Sequence, residues 1–459
     1  MIPMTLAEIA RVVDAGLHDV TAPEALVTAP AAVDSREVRP GGLFAATAGA
    51  RVDGHDYAGR AVADGATAVL ATRPVGVPAL VVEDVQRALG LLAGHVLARL
   101  DPTVIALTGS VGKTTTKDLL AQILEPDAPT IATDRSFNNE LGLPLTVLRA
   151  DPATRYLVLE MGAGRKGDLT YLTGIAPPHL SLVLNVGAAH ISRMGGGLAD
   201  VAAAKGELVE ALTPDGYALL NADDPYVLGM AERTRARIVL YGTAADAHVR
   251  AENASMGELA RPAFDLVTPS GRARVELGLI GEHQVANALA AAAAAYALGL
   301  SAERIAARLT AAGPRSSGRF EVFDRPDGVT VINDAYNANP ESMRAGLRAF
   351  RALAGDRRTV AVLGGMGQQA DASRDRHAQV GRLVAELGID VLIAVGDDDP
   401  RATAAAAGDA GLGVSVYTAD DVAEAVTLAT GLIEPGDLVF VKASSEYGLS
   451  ACAIALAGS

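Results

Sequence analysis

The chain has 459 residues, of which 50% are hydrophobic, so it can form several domains with large cores and little disorder. Its 54 acidic residues outnumber its 39 lysines and arginines, and the net charge of −15 argues against a nucleic-acid partner. Cys452 is the only cysteine, which excludes a disulfide framework and a cysteine metal site and fits a reducing compartment.

No targeting or membrane-spanning segment is predicted. Residues 1–16 carry charges among their apolar positions and lack a basic start followed by an uninterrupted apolar run. Residues 289–298 are very apolar, but they are mostly alanine and too few to cross a bilayer. We therefore expect a buried helix there, and a cytoplasmic protein without membrane insertion.

The first of three stretches, residues 1–100, begins with a short amphipathic helix and continues with turn-rich β segments at 41–46 and 66–70. The second stretch, residues 101–313, opens with an apolar strand at 103–107, a glycine-rich turn and a helix that runs through residue 124. Further strands alternate with helical segments and lie at 156–159, 180–184 and 217–220. This alternation predicts a mostly parallel sheet with helices on both faces.

The third stretch, residues 314–459, repeats the alternation on a smaller scale. Its predicted strands lie at 329–332, 359–363, 390–395 and 438–441. The pattern is typical of a second doubly wound sheet. The fold class predicted for the whole chain is therefore α/β with three domains.

A phosphate-binding loop is the strongest motif. Residues 108–116 read Thr-Gly-Ser-Val-Gly-Lys-Thr-Thr-Thr and lie between a predicted strand and a predicted helix, which is the context that such a loop requires. Its backbone N–H groups and the helix N-terminus form an anion site, Lys113 would reach the β- and γ-phosphates, and the Thr114 hydroxyl would bind Mg²⁺. The general pattern has glycine where this chain has Leu107, so this is a variant. Because transport ATPases, kinases and GTPases share this loop, the loop alone does not identify the reaction.

Two strand ends add candidate ligands. Glu160 ends an apolar strand, where a carboxylate suits the Mg²⁺ that bridges ATP phosphates, although a solvated strand-end acid is the plain alternative. His190 follows the next strand and would lie at the same carboxyl edge, but a lone histidine is as often structural. Lys205 lies on a predicted helix, where a lysine is normally a solvated charge, and its local sequence predicts nothing more.

With these motifs the chain resembles the Mur ligases along almost its whole length. The nucleotide and metal motifs are the loop at 108–116, Leu-Glu-Met-Gly at 159–162 and Asn-Val-Gly-Ala-Ala-His at 185–190. Two longer stretches, Ser-Phe-Asn-Asn-Glu-Leu-Gly-Leu-Pro-Leu-Thr at 136–146 and Ile-Asn-Asp-Ala-Tyr-Asn-Ala-Asn-Pro-Glu-Ser-Met at 332–343, resemble the members that add D-alanyl-D-alanine. Asp-Ser-Arg at 34–36 and Asp-Gly-His-Asp at 53–56 are similar to a UDP-binding domain of the family.

The resemblance implies a small α/β UDP-binding domain at residues 1–100, a central ATP-binding domain with a parallel sheet at 101–313, and a Rossmann-like amine-substrate domain at 314–459. It implies an ATP-dependent ligase of peptidoglycan synthesis. The enzyme would join D-alanyl-D-alanine to UDP-N-acetylmuramoyl-tripeptide through an acyl phosphate. We expect a monomer that acts on these two partners and on no nucleic acid.

The resemblance also implies roles for individual residues. Those assigned to ATP binding are Gly109, Ser110, Val111, Gly112, Lys113, Thr114, Thr115, Asn287, Arg319 and Asp334, with Asn287 at the adenine. Those assigned to the UDP-linked substrate are Ser35, Arg36, Asn138 and Asn139. Thr114 and Glu160 would hold one Mg²⁺, and His190 and Lys205 a second, with Lys205 carbamylated. Lys113, His190 and Lys205 are the residues expected to be catalytic.

Two segments depart from the family pattern. Gln-Gln-Ala-Asp at 368–371 stands where the family usually has Glu-Leu-Gly nearby, and Lys-Ala-Ser-Ser-Glu at 442–446 replaces Lys-Gly-Ser-Arg. Both belong to the stretch expected to receive the amine. The open alternatives are a ligase that adds one amino acid to a UDP-linked peptide, a folate-glutamate ligase, a divergent ligase with another amine, and a phosphate-loop module without ligation.

Overall fold

The computed structural model describes residues 1–49, 52–134, 137–188, 191–367 and 373–458. These residues form a two-stranded pair and three larger sheets of five, nine and six strands. Each large sheet is built from one of the three stretches predicted from the sequence, so the α/β fold class is confirmed. The domain boundaries after residues 100 and 313 fall in connections between the sheets and stay a prediction.

The amino-terminal sheet has the order β2-β7-β6-β5-β4, parallel except for β2. Its strands are β2 Gly16–His18, β4 Ala31–Ala32, β5 Leu43–Ala45, β6 Ala68–Ala71 and β7 Ala79–Val81, and β1 Met4–Thr5 pairs separately with β3 Leu26–Val27. Its helices are α1 Leu6–Val13, α2 Ala58–Ala63 and α3 Val85–Leu100. The predicted amphipathic helix is α1, and a capping box between Thr5 and Glu8 fixes its start.

The central sheet has the order β16-β15-β14-β13-β12-β11-β8-β10-β9. Its strands are β8 Thr103–Thr108, β9 Thr130–Ala132, β10 Tyr156–Glu160, β11 Leu180–Val183, β12 Tyr217–Asn221, β13 Arg237–Gly242, β14 Val249–Met256, β15 Pro262–Thr268 and β16 Gly271–Glu276. Strands β8 to β14 are parallel. Strands β15 and β16 continue the sheet from β14 in antiparallel pairing, which the sequence pattern did not predict.

Helices cover both faces of the central sheet. They are α4 Lys113–Leu124, α5 Gly142–Val147, α6 Asp168–Ile175, α7 Leu198–Glu210, α8 Pro225–Leu228, α9 Gln284–Ala297 and α10 Ala302–Ala311. Because β8 lies between β10 and β11 and is covered on both sides, its residues Val104 to Leu107 are all buried, as its unbroken apolar sequence indicates. The alanine-rich stretch is the buried helix α9, as predicted. No helix in the described part of the chain is both long and apolar enough to span a membrane.

The third sheet has the order β17-β18-β22-β19-β20-β21, parallel except for the edge strand β17. Its strands are β17 Glu321–Asp324, β18 Thr330–Asn333, β19 Thr359–Leu363, β20 Val391–Val395, β21 Ser415–Ala419 and β22 Leu438–Lys442. Its helices are α11 Pro340–Ala354, α12 Ser373–Glu386, α13 Asp398–Asp409, α14 Val422–Leu432 and α15 Ser450–Ala457. This is the smaller doubly wound sheet that the strand spacing predicts.

Helices α12 and α13 pack closely because a glycine lies at their crossing. A Cβ built on Gly381 of α12 would collide with the backbone carbonyl oxygen of Thr403 on α13. Alanine is favoured over glycine inside a helix by roughly 0.5–1 kcal/mol, but overpacking against a backbone atom costs about 1–3 kcal/mol. The steric cost is the larger of the two, so we expect this substitution to lower the stability of the protein.

We predict that Gly381→Ala lowers the free energy of unfolding by about 1 kcal/mol, since an overpacking cost of about 2 kcal/mol exceeds a helix-propensity gain of about 0.75 kcal/mol. The matched control is Gly408→Ala at the exposed end of α13, where nothing lies within 4 Å of the added methyl group. The control should be as stable as the wild type or slightly more stable. Urea titration followed by circular dichroism measures both. An unchanged midpoint for Gly381→Ala would show that the two helices separate without cost.

Candidate active site

A cleft of about 940 Å³ lies between the carboxyl edge of the central sheet and the third sheet. From the central sheet it is lined by the phosphate loop, residues 138–140, Glu160 and residues 162–165. From the third sheet it is lined by Arg319, residues 336–339 and residues 444–446. The carboxyl edge of a parallel sheet is where α/β proteins bind ligands, and this cleft lies there.

The phosphate loop joins β8 to α4 as the sequence predicts. Gly112 has φ +84° and a Cβ on it would collide with Asn287 Oδ1, so this position needs glycine. Asn185 holds the loop, because its Oδ1 accepts hydrogen bonds from the N–H groups of Ser110 and Val111, both at 2.9 Å. Its Nδ2 donates to the Val111 carbonyl at 3.1 Å. Sequence reasoning gave Asn185 no role, although it begins the Asn-Val-Gly motif.

Lys113 is the first residue of α4 and lines the cleft. Its Nζ donates to the Gly109 carbonyl at 2.9 Å, so the ammonium bends back over the loop where phosphate oxygens would lie. Burial lowers the pKa of Lys113, the Glu160 carboxylate opposes that shift, and Arg319 adds to it. A bound phosphate would favour the charged ammonium, because the opposite charge is then close to it.

Glu160 is a buried carboxylate with both oxygens engaged. Its Oε2 accepts from Thr114 Oγ1 at 3.0 Å and its Oε1 accepts from Asn138 Nδ2 at 2.7 Å. The hydroxyl and the carboxylate are oxygen ligands of the kind that Mg²⁺ takes. Within the described residues no group of three His, Cys, Asp or Glu side chains could hold a metal. Together Thr114 and Glu160 supply two oxygen donors of a type that fits Mg²⁺.

Lys205 is not a solvated charge. It lies on α7, is 1% exposed and lines the cleft. Burial, and then the charge of Lys113, lowers the pKa of Lys205 to about 7. No carboxylate among the described residues forms an ion pair with it. His190, its expected partner at a metal, lies outside the described residues.

The third sheet contacts the phosphate loop directly. Arg319 Nη2 donates to Thr114 Oγ1 at 3.2 Å, and the Arg319 guanidinium lies 4.4 Å from the centre of the Tyr336 ring. Asn339 Nδ2 reaches the Ser110 carbonyl at 3.4 Å. Arg319, which precedes the third sheet in the chain, thus contacts the phosphate loop, and its contact with a nucleotide stays a prediction.

Glu341 adds a second link between the sheets. Its Oε1 accepts from the Ala188 N–H at 3.0 Å, just after the Asn-Val-Gly segment. Sequence reasoning missed this residue as well, although it lies within the quoted stretch 332–343. Together with Arg319 and Asn339, it holds the cleft in a closed arrangement.

Asp334 does not line the cleft. Its Oδ2 accepts from Lys442 Nζ at 2.6 Å, and its Oδ1 accepts from the Phe320 N–H at 3.2 Å. Burial lowers the pKa of Lys442, and Asp334 opposes that shift. In this structure Asp334 supports the loop that carries Arg319, and its contact with a nucleotide stays a prediction.

Of the remaining predicted residues, two lie in the central unit and two in the amino-terminal unit. Asn287 lies beneath the loop, with Oδ1 3.5 Å from Thr116 Oγ1, and Asn139 accepts from the Gly142 N–H at 2.9 Å at the start of α5. Ser35 and Arg36 lie in the amino-terminal unit and do not line the cleft. Arg36 is exposed and pairs with Asp34 at 2.6 Å. The adenine and UDP contacts assigned to these residues stay predictions.

Comparison with known proteins places these features in one family. Three family models match: Mur ligase family, catalytic domain, at residues 32–95; Mur ligase middle domain at 107–295; and Mur ligase, glutamate ligase domain, at 318–445. The UDP-N-acetylmuramoyl-tripeptide--D-alanyl-D-alanine ligase of Mycobacterium bovis is 43% identical over 99% of this chain and 98% of its own length. The enzyme of the same name from Escherichia coli is 36% identical over 86% of each chain.

Solved structures agree with the sequence relatives. The crystal structure of MurF from Acinetobacter baumannii superposes with a TM-score of 0.85 at 32% identity, covering 100% of this chain and 99% of that one. MurF from Thermotoga maritima, in complex with ADP, superposes with a TM-score of 0.78 at 27% identity, covering 94% and 98%. The chain therefore belongs to the Mur ligase family of ATP-dependent ligases, as a member of the MurF type.

Proposed function

We propose that the protein joins D-alanyl-D-alanine to UDP-N-acetylmuramoyl-tripeptide in peptidoglycan precursor synthesis, with ATP converted to ADP and phosphate. The observation that carries this proposal is the single cleft in which the phosphate loop, residues 138–139 and the third sheet meet. A reaction that needs a phosphoryl donor, a carboxylate and an amine requires such a three-sided site. UDP-linked precursors and ATP occur in the cytoplasm, so we expect the protein to act there. We also expect it to be a monomer.

The proposed chemistry has two steps. A terminal carboxylate oxygen of the tripeptide attacks the γ-phosphorus of ATP, which forms an acyl phosphate and releases ADP. The amine nitrogen then attacks the acyl carbon, and the tetrahedral intermediate expels phosphate while the nitrogen loses a proton. No side-chain nucleophile is needed, so catalysis rests on positioning and on stabilising phosphate charge.

The residues of the cleft suit these tasks. Lys113 would turn from the Gly109 carbonyl to the β- and γ-phosphates, and the loop N–H groups would bind phosphate oxygens. Arg319, held over Tyr336, would bring positive charge from the third sheet. Closure of the third sheet over the loop would exclude water, which would otherwise hydrolyse the acyl phosphate.

Thr114 and Glu160 would hold the Mg²⁺ of ATP, and His190 and Lys205 a second one; these ions neutralise phosphate charge when bound. A carbamylated Lys205 would supply oxygen ligands in place of an ammonium. Its pKa of about 7 leaves much of the amine neutral at neutral pH, and a neutral amine can add to carbon dioxide and release a proton to solvent. The buried position of Lys205, with no carboxylate of the described residues paired to it, supports the same proposal.

We predict that Lys113→Ala abolishes ligation and leaves the fold intact, because the phosphates lose their main cation. Phosphate release measures the activity, and circular dichroism with a thermal melt measures the fold. Lys166→Ala is the matched control, since Lys166 is exposed and does not line the cleft. Near-normal turnover by Lys113→Ala would overturn the assignment of the nucleotide site.

For Lys205→Ala we predict near-complete loss of activity and partial recovery with formate or acetate, which can occupy the space of a carbamate. Lys113→Ala serves as the control, because an added carboxylate cannot replace an ammonium there. A fully active Lys205→Ala variant would contradict a ligand role. Mass spectrometry of the intact wild-type protein in bicarbonate buffer provides a second readout, because carbamylation adds the mass of one carbon dioxide.

The proposed reaction itself is tested by a matrix of amines at saturating ATP and UDP-tripeptide, with product mass measured directly. D-Alanyl-D-alanine should give the ligated product, and single D- or L-amino acids should be much poorer. A pocket built for a dipeptide leaves some of its own polar groups unpaired when a single amino acid binds. Each such buried group costs about 1–3 kcal/mol, or roughly a five- to more than a hundredfold loss of specificity. Product from another amine and none from D-alanyl-D-alanine would keep the ligase class and overturn this substrate.

A further inference from the structure

The third-sheet wall of the cleft is built around Ser444. Its Oγ accepts from the Gly367 N–H at 2.7 Å and donates to the Ala338 carbonyl at 3.2 Å, and its carbonyl accepts from the Tyr447 N–H at 3.0 Å. These bonds fix the short 3₁₀ turn Ser445–Tyr447 at the edge of the cleft. Glu446, in the middle of this turn, is exposed and lines the cleft.

The Glu446 carboxylate lies over the cleft wall without a partner among the described residues. A Cβ built on Gly367 would lie 2.5 Å from Glu446 Oε1, which shows how closely the side chain lies against that glycine. Of the described cleft residues contributed by the third sheet, Glu446 alone carries a carboxylate. It is therefore a negative charge that lines the cleft and that no side chain of the described residues pairs with.

Two of the other carboxylates of the cleft are already occupied. Glu160 accepts from Thr114 and Asn138. Asp168 accepts from the Gly164 N–H at 2.8 Å and from Arg165 Nε at 3.0 Å. Glu140 lies on the central-sheet side, where the peptide substrate is expected.

The opposite wall of the cleft is rich in positive charge, with Lys113, Lys205 and Arg193 all facing into it. Each wall carries both signs of charge, since Glu140, Glu160 and Asp168 also line the central-sheet side and Arg319 lines the third-sheet side. Glu446 is the carboxylate among the described residues of the third-sheet wall, and an ammonium group that approaches this wall would be attracted to it.

We propose that Glu446 binds the ammonium group of the incoming amine substrate and sets the preference for an amine with a free, charged amino terminus. This inference rests on the proposed reaction and deepens it, since it names the group that receives the second substrate. Glu446 is a binding and specificity residue. The proton that the nitrogen loses before attack goes to solvent.

The test compares Glu446→Gln with Asp398→Asn in the full-length protein. Asp398 is exposed in the first turn of α13, at the carboxyl edge of the same sheet, and does not line the cleft. We expect Glu446→Gln to raise the KM for D-alanyl-D-alanine about ten- to a hundredfold, the range for a lost charged hydrogen bond. The KM values for ATP and UDP-tripeptide should stay within about twofold, and Asp398→Asn should match the wild type in all three.

Two further measurements separate binding from structure. Glu446→Asp, which keeps the charge on a shorter side chain, should recover part of the lost affinity for the amine. Hydroxylamine, a nucleophile that is neutral at pH 7.5, should trap the acyl phosphate as a hydroxamate at the same rate in Glu446→Gln and in the wild type. A thermal melt checks that the variants are folded.

The inference is overturned if the KM for D-alanyl-D-alanine in Glu446→Gln stays within about twofold of the wild type, or if all three KM values rise equally. Failure of the proposed reaction is distinguishable, because the wild type would then make no product with D-alanyl-D-alanine. In that case the same KM comparison is made with the amine that the wild type does use.

Discussion

The arrangement of the site depends on how Asn185 holds the phosphate loop. A loop that presents N–H groups to phosphate must keep a fixed shape. The Asn185 side chain bridges the loop by accepting bonds from the N–H groups of Ser110 and Val111 and donating one to the Val111 carbonyl. Asn185 follows β11, next to β8, so the loop is held by the neighbouring strand of the same sheet. Lys113, Thr114 and the start of α4 are positioned as a consequence.

Closure of the cleft rests on a few polar contacts made by Arg319, Asn339 and Glu341 with the loop and its surroundings. Each such hydrogen bond contributes only about 0.5–1.5 kcal/mol net. Contacts of this strength are typical of the interfaces between units of one chain. The ion pair between the buried Lys442 and Asp334 also supports these contacts, because Asp334 accepts from the Phe320 N–H and so holds the loop that carries Arg319.

Charged side chains line both walls of the cleft. On the central-sheet wall, burial, and then the charge of Lys113, lowers the pKa of Lys205 to about 7. The third-sheet wall carries the Glu446 carboxylate, which has no partner among the described residues. Within the segment 442–446, Lys442 and Ser444 have internal partners, whereas Glu446 lines the cleft.

The sequence by itself determined the three α/β units, most of their strands, and the phosphate loop with Lys113, Thr114 and Glu160, because unbroken apolar strands and a glycine-rich strand–helix turn are local patterns. It could not find the antiparallel extension β14 to β16, whose pairing depends on neighbours distant in sequence. It could not separate Lys205 from a solvated lysine, nor place Asp334 behind the cleft and Glu446 within it. Burial and charge environment arise only when remote segments pack together, so the tertiary structure alone decided which of these side chains line the cleft.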